Sequence, residues 1–363
     1  MLVPPRQRRI RPMPGFLPAL LLMAALTPPS VPSWTHSLEL SSLPGAEITY
    51  ASNGYIEVAH ALAKLPGNPN WLASAQGLAR AVYAARPGLT EADLTLYKAG
   101  GYGGSDPAAP LPRFTASVPR DRLEQFLNLS PATLASFDRA WLNPGTEPPV
   151  PSLTVKSGRG RLLYQGEISS KQVAFTFDDV PHPLYTPLLL DLLRREGVRA
   201  TFFVIGRNAL AYPYFVRDMA RDGHEIGNHS YSHRRFITLD PATVQGEVLR
   251  TNALLEGLTQ QPVRLIRPPG GRLNPTISHQ LRDLGMDVTF WTDDPGDYLR
   301  FKAGTLEGRL EFRFKPGAIV LLHDNVPETL QTLPTFLRYV RARGFTPGTV
   351  GALVAGPMQA QKP

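Results

Sequence analysis

The 363-residue sequence predicts an α/β protein centred on a parallel sheet, preceded by a smaller region that is mainly helical or α+β. Three observations carry this expectation. From Lys171 onward, short apolar β-rich runs alternate with amphipathic helical runs. That is the pattern of βα units on a parallel sheet, closed as a barrel or wound on both faces. Polar residues able to do chemistry follow the β-rich runs, and parallel sheets gather ligand groups at the carboxyl ends of their strands. Finally, proline clusters at 28–32, 107–112 and 144–151 punctuate the chain ahead of that point.

Composition narrows the function. The formal net charge is +8, from 38 basic and 30 acidic residues, which favours acidic partners at low salt. No basic helix interleaved with aromatics accompanies it, so nucleic acid is not an expected partner. With no cysteine, the chain has no disulfide, thiolate nucleophile, Cys-ligated zinc or lipid-modified N-terminal Cys.

Residues 1–33 read as an export signal or N-terminal anchor. Arg6, Arg8, Arg9 and Arg11 precede an apolar run from Phe16 to Leu26, interrupted only by Pro18, and Pro28, Pro29, Ser30 and Ser33 follow. The run is shorter than the ~20 residues that span a bilayer. The Arg8-Arg9 pair lacks the rest of a twin-arginine pattern. The expected location is therefore outside the cytoplasm: cell envelope, periplasm or extracellular space. Membrane contact is expected only through this segment, if it is retained.

Residues 34–165 form the first region, without a dense cluster of catalytic residue types. Helical periodicity is expected over Ile56 to Leu65 and Trp71 to Ala85. An internal repeat at an offset of 40 matches Leu89–Tyr97 to Leu129–Phe137. Each copy leads through a Gly/Pro-rich turn to a β-prone piece, Phe114 to Val118 and Leu153 to Val155. Read as a capped helix, a turn and a strand, the unit resembles half of a LysM glycan-binding module.

The main region runs from 171 to 350, with a tail at 351–363. Its expected strands are Val173 to Phe177, Ala200 to Ile205, Glu225 to Gly227, Arg264 to Ile266, Asp287 to Trp291 and Ala318 to Leu322. Helices are expected over Tyr185 to Glu196, Tyr212 to Asp222, Pro241 to Leu258, Pro275 to Leu284 and Glu328 to Arg343.

The first of these strands exits into two adjacent carboxylates, Asp178 and Asp179, which are costly to bury unpaired. His229 and His233 follow the strand ending at Gly227; four apart, they would share one face of a helical turn. Two imidazoles and a carboxylate make a zinc site with an open position for water. Adjacent Asp residues can divide the remaining work, one on the metal and one taking the proton of the attacking water. Arg267 is a fitting guanidinium to orient a carboxylate. His323 is a natural acid, and a nearby carboxylate such as Asp297 would raise its pKa.

Thr176-Phe-Asp-Asp179, His229-x-x-x-His233, Arg267-Pro-Pro, Asp294-x-x-Asp297 and Leu321-Leu-His323 resemble, in order and rough spacing, the motifs of the polysaccharide deacetylases. These are carbohydrate esterase family 4, the NodB homology domain. The resemblance covers Lys171 to Val350 and implies a distorted (β/α) barrel that removes N-acetyl groups from an N-acetylglucosamine-containing glycan, peptidoglycan or chitin-like. It implies a divalent metal, zinc, on Asp179, His229 and His233, with Asp178 as base. Arg267 would orient Asp178, and Asp297 would orient His323, the acid. Leu321, Tyr298 and Pro268 would touch the substrate. Three positions depart from the pattern: Val180 for Gly, Gly270 for an aromatic and Tyr298 for Trp. His224 reads as structural, His182 as a rim residue, and His60 carries no signal.

Overall fold

The computed structural model describes residues 34–36, 46–100, 109–152, 158–169 and 171–355. The expected export segment, the piece Leu153 to Val155 and the tail beyond 355 lie outside these. Among the described residues no helix is long and apolar enough to cross a membrane.

The first region is a mixed sheet with one long helix. Strands Trp34–His36, Glu47–Ser52, Glu57–Leu65, Glu91–Lys98, Phe114–Pro119 and Ala140–Leu142 lie side by side in chain order. Glu57–Leu65 and Glu91–Lys98 run parallel, so a crossover must join them. Helix Trp71–Ala85 is that crossover, and the Asn70 side chain caps it by accepting from the Ala73 N–H at 3.1 Å. The helix packs Ala75, Leu78, Ala79 and Val82 against Ala59, Ala61, Ala63, Ala92, Leu94 and Leu96 of the sheet.

Two expectations fail here. Ile56 to Leu65 is not helical: Glu57–Leu65 is a strand, buried on both faces over much of its length. Leu89 to Tyr97 is not a capped helix either, because Glu91–Lys98 is the adjoining strand. Its repeat partner holds only a short 3-10 turn, Leu134–Ser136. The capped helix behind the LysM resemblance is therefore missing from both copies.

The second region is a curled parallel sheet wrapped by helices. Its strands run in the order Ile319–His323, Gln172–Val180, Thr201–Val204, Glu225–Asn228, Leu265–Ile266, Asp287–Thr289 and Leu162–Leu163, with Thr346–Gly348 also on Gln172–Val180. A parallel bridge between Asp293 and Val320 joins the segment after Asp287–Thr289 back to Ile319–His323, curling the sheet towards closure. Helices Thr186–Arg195, Pro213–Arg221, Pro241–Thr259, Pro275–Asp283 and Pro327–Ala342 fall where periodicity placed them. Helices Gly206–Ala211, Ala303–Arg313 and Val350–Ala355 are additional. Leu162–Leu163 pairs with Val288 and Thr289, so the second sheet recruits chain from before Lys171.

The two regions are fused through a polar face. Register places His60, Asp93, Thr95, Thr115 and Ser117 on the face of the first sheet opposite its helix. Asp93, Thr95, Thr115 and Ser117 are nonetheless buried, because helices of the second region cover them. Thr115 Oγ1 donates to the Ala211 carbonyl at 2.6 Å, and Asn53 Nδ2 donates to Asp191 Oδ2 at 2.8 Å. Arg139 bridges Glu91 at 2.9 Å and Asp218 at 2.5 Å across the junction. Removing it leaves two largely buried carboxylates beside Asp93. Arg139→Ala should therefore destabilise the protein by about 3–5 kcal/mol, read as a lowered midpoint in chemical denaturation.

Candidate active site

The site is built on an irregularity. Alternate residues of a regular strand face opposite sides, so two adjacent side chains cannot share one cavity. Gln172–Val180 breaks register with Thr201–Val204 between Phe177 and Val180, and Asp179 takes a left-handed conformation, φ 69°. Bulges re-aim side chains, and Asp tolerates this backbone region. As a result both carboxylates reach His229: Nε2 lies 3.7 Å from Asp178 Oδ2 and 3.5 Å from Asp179 Oδ1.

His229 follows strand Glu225–Asn228 and is buried. Its Nδ1 lies 2.7 Å from the Arg267 carbonyl oxygen. A carbonyl only accepts, so Nδ1 carries a hydrogen, and Nε2 faces the two carboxylates. His233 arrives on a loop rather than the expected helical turn. Ser230 (φ 67°) and His233 (φ 59°) are both left-handed there. Glu247 holds the loop, accepting from the N–H groups of Tyr231 (2.9 Å) and Ser232 (2.7 Å) and from the Ser232 hydroxyl. His233 Nε2 then sits 3.1 Å from Asp179 Oδ1.

Asp179, His229 and His233 each offer one donor atom within 4.8 Å of the others. Asp179 Oδ1 is buried, and the contacts it makes to the imidazole nitrogens are not well-aligned hydrogen bonds. Burial alone would raise the Asp179 carboxyl, but the two imidazoles outweigh it and hold it well below the usual range. A buried, ionised oxygen whose near neighbours are the ring nitrogens of two imidazoles fits a divalent cation, and this donor set suits zinc.

Asp178 is held separately. The buried Arg267 donates from Nη1 to Asp178 Oδ1 at 2.7 Å and to Thr176 Oγ1 at 2.8 Å, and from Nη2 to the Phe290 carbonyl at 3.0 Å. Its guanidinium lies 4.2 Å from the Phe203 ring centroid. On the adjoining strand, His323 is the register partner of Asp178. His323 Nδ1 lies 2.8 Å from Asp297 Oδ1, and Asp297 Oδ2 accepts from the His323 N–H at 2.7 Å and Thr329 Oγ1 at 2.8 Å. Burial lowers the His323 pKa, but the Asp297 hydrogen bond and charge override it and raise it to about 9.

The remaining sequence candidates are more peripheral. Leu321 precedes His323 by two on the same strand face and is buried. Tyr298 sits at the rim, half exposed, edge-on to His323 at 5.7 Å. Pro268 is buried next to Arg267. Val180 is fully buried in the core, so its difference from Gly affects packing beneath the site. His224 accepts from the Ala200 N–H at 3.1 Å, a structural role. Glu247 and Thr329 had no motif to mark them; only the folded chain brings them to the site. Thr176 opens the first motif, and its contact with Arg267 shows only in the fold.

A family model for "Polysaccharide deacetylase" matches residues 165–289. A peptidoglycan-N-acetylglucosamine deacetylase of Bacillus cereus is 32% identical over 200 residues, 54% of this chain and 93% of that protein. A chitooligosaccharide deacetylase of a Bradyrhizobium species is 32% identical over 196 residues, 50% of this chain and 90% of that protein. The crystal structure of the Bc1960 peptidoglycan N-acetylglucosamine deacetylase superposes with a TM-score of 0.53 at 26% identity, over 54% of this chain and 94% of that one. The chain belongs to the polysaccharide deacetylase family. It is a polysaccharide N-deacetylase, a hydrolase.

The separate anchoring of the two carboxylates predicts separable losses. His229→Ala and Asp179→Asn should each leave the dialysed protein nearly zinc-free by elemental analysis. Asp178→Asn should retain zinc at the wild-type level.

Proposed function

We propose that this protein hydrolyses N-acetyl groups from N-acetylglucosamine units of a cell-envelope polysaccharide, releasing acetate, and that it works outside the cytoplasm. The observation that carries this reading is the pair of anchored groups on adjoining strands, Asp178 on Arg267 and His323 on Asp297, flanking the Asp179, His229, His233 cluster. The relatives with deacetylase names share this region of the chain.

A divalent cation held by Asp179, His229 and His233 would lower the pKa of a water and polarise the acetyl carbonyl. The chain's own residues supply the proton transfers. Asp178, fixed by Arg267, accepts the water proton as the oxygen adds to the carbonyl carbon. His323, kept protonated by Asp297, donates to the amide nitrogen as the C–N bond breaks. Acetate and a free sugar amine leave. In this reading Leu321 would pack on the acetyl methyl group, and Tyr298 and Pro268 would border the sugar.

Acetate release from N-acetylglucosamine oligomers and purified peptidoglycan tests the proposal. Release should stop with chelator, return with zinc, and vanish in Asp178→Asn; release unaffected by both would refute it. The acid assignment has its own signature. His323 must be protonated, so activity should fall as pH rises through a limit at or below about 9. Asp297→Asn removes the carboxylate charge that raises this pKa, and should move the alkaline limb to lower pH.

A further inference from the structure

A cavity of about 400 Å³ opens directly from the cluster. Asp179 and His233 line it, and so does the first region through His60, Leu62 and Tyr97. His182 and Tyr212 of the second region complete the walls between them. Its volume falls within the ~300–1,000 Å³ of small-ligand clefts.

The polar face of the first sheet explains why the cavity exists. Towards the amino-terminal ends of Glu57–Leu65 and Glu91–Lys98 that face is packed shut, with Val58 in the second region's core and Arg139 clamped between Glu91 and Asp218. Towards the carboxyl ends the cavity takes the place of such packing. There Leu62 and Tyr97 face space that runs on to the site. The junction is fastened at residues that line the cavity. Thr95 Oγ1 lies 3.3 Å from the Tyr212 hydroxyl, and Arg207 bonds Glu147 at 2.5 Å. A gap between firmly docked walls is a preformed site.

Away from Asp179 and His233 its lining is amphipathic. The Arg207 guanidinium is engaged by Glu147 and by the Ala109 carbonyl, so it is not available as a free charge. Burial pushes the His60 pKa down to about 4, leaving a neutral imidazole at Thr95 Oγ1, 2.9 Å away. Tyr97 and Tyr212 offer rigid rings with a polar tip, suited to a ligand with apolar C–H faces and many hydroxyls.

We infer that this interdomain cavity is a subsite for a sugar next to the one being deacetylated, with the first region forming one wall of the glycan groove through Tyr97, Leu62 and His60. The inference rests on the deacetylase reading. It makes the enzyme selective for chains over single sugars, using binding energy remote from the reacting bond.

The test compares the full-length, zinc-loaded protein on N-acetylglucosamine and on its tetramer. Tyr97→Ala should lower kcat/KM for the tetramer about tenfold, the loss of roughly one aromatic contact. The value for the monosaccharide should stay within about twofold. Equal losses on both substrates, or no loss on either, would overturn the inference. If Tyr97→Ala melts markedly below wild type, His60→Leu carries the same comparison. Failure of the wild type to release acetate from either sugar would instead count against the deacetylase reading. Calorimetric titration of the tetramer into Asp178→Asn protein then decides the subsite alone. Affinity weakened by adding Tyr97→Ala supports it; unchanged affinity, or no binding, refutes it.

Discussion

The pair between Arg267 and Asp178 organises this molecule. Both side chains are almost fully withdrawn from solvent, at 0% and 5% exposure. A lone buried charge costs several kcal/mol, so each is tolerable only with the other and with further hydrogen bonds. Thr176 and the Phe290 carbonyl supply those bonds, and Phe203 covers the guanidinium. Arg267 thereby ties together the exits of three strands. Its carbonyl also accepts from His229, so one residue orients both the proposed proton acceptor and a candidate metal ligand. Asp179, one position along, is exempt from this arrangement because the backbone turns left-handed there.

The first region contributes by being inseparable from the second. One face of its sheet is covered by its own helix, while the other is polar and buried only through docking. A buried polar face is costly unless its partners are met. Thr115, Asn53 and Arg139 meet theirs across the junction. This region is therefore built as part of the enzyme's body, and its carboxyl-end strand residues reach the neighbourhood of the site.

Most of the second region was legible in the sequence because parallel-sheet strands here are compact apolar runs ending in polar residues, such as Val173–Asp179. The residues brought together at the site are those the motifs singled out. The first region was harder. Glu57–Leu65 is rich in alanine and carries helical periodicity, yet it is a central strand whose small side chains admit a close helix. In Glu91–Lys98 the alternation of Ala92, Leu94 and Leu96 with Asp93, Thr95 and Tyr97 was present. Thr90 is a residue type that caps helices, which obscures the alternation, but its hydroxyl accepts from the Glu57 N–H at 3.1 Å. His60, Tyr97 and Glu247 reach the site or its cavity through tertiary structure alone, which leaves no local pattern to read. The His233 loop depends likewise on Glu247, 14 residues distant.

The central claim is that two adjacent aspartates have separate duties, one on a metal and one on Arg267. A crystal structure of the zinc-soaked protein, with anomalous scattering at the zinc edge, tests it most directly. The account predicts one zinc about 2.0–2.2 Å from Asp179, His229 Nε2 and His233 Nε2, with Asp178 still on Arg267. Zinc bound by Asp178, or seated away from His229 and His233, would contradict it.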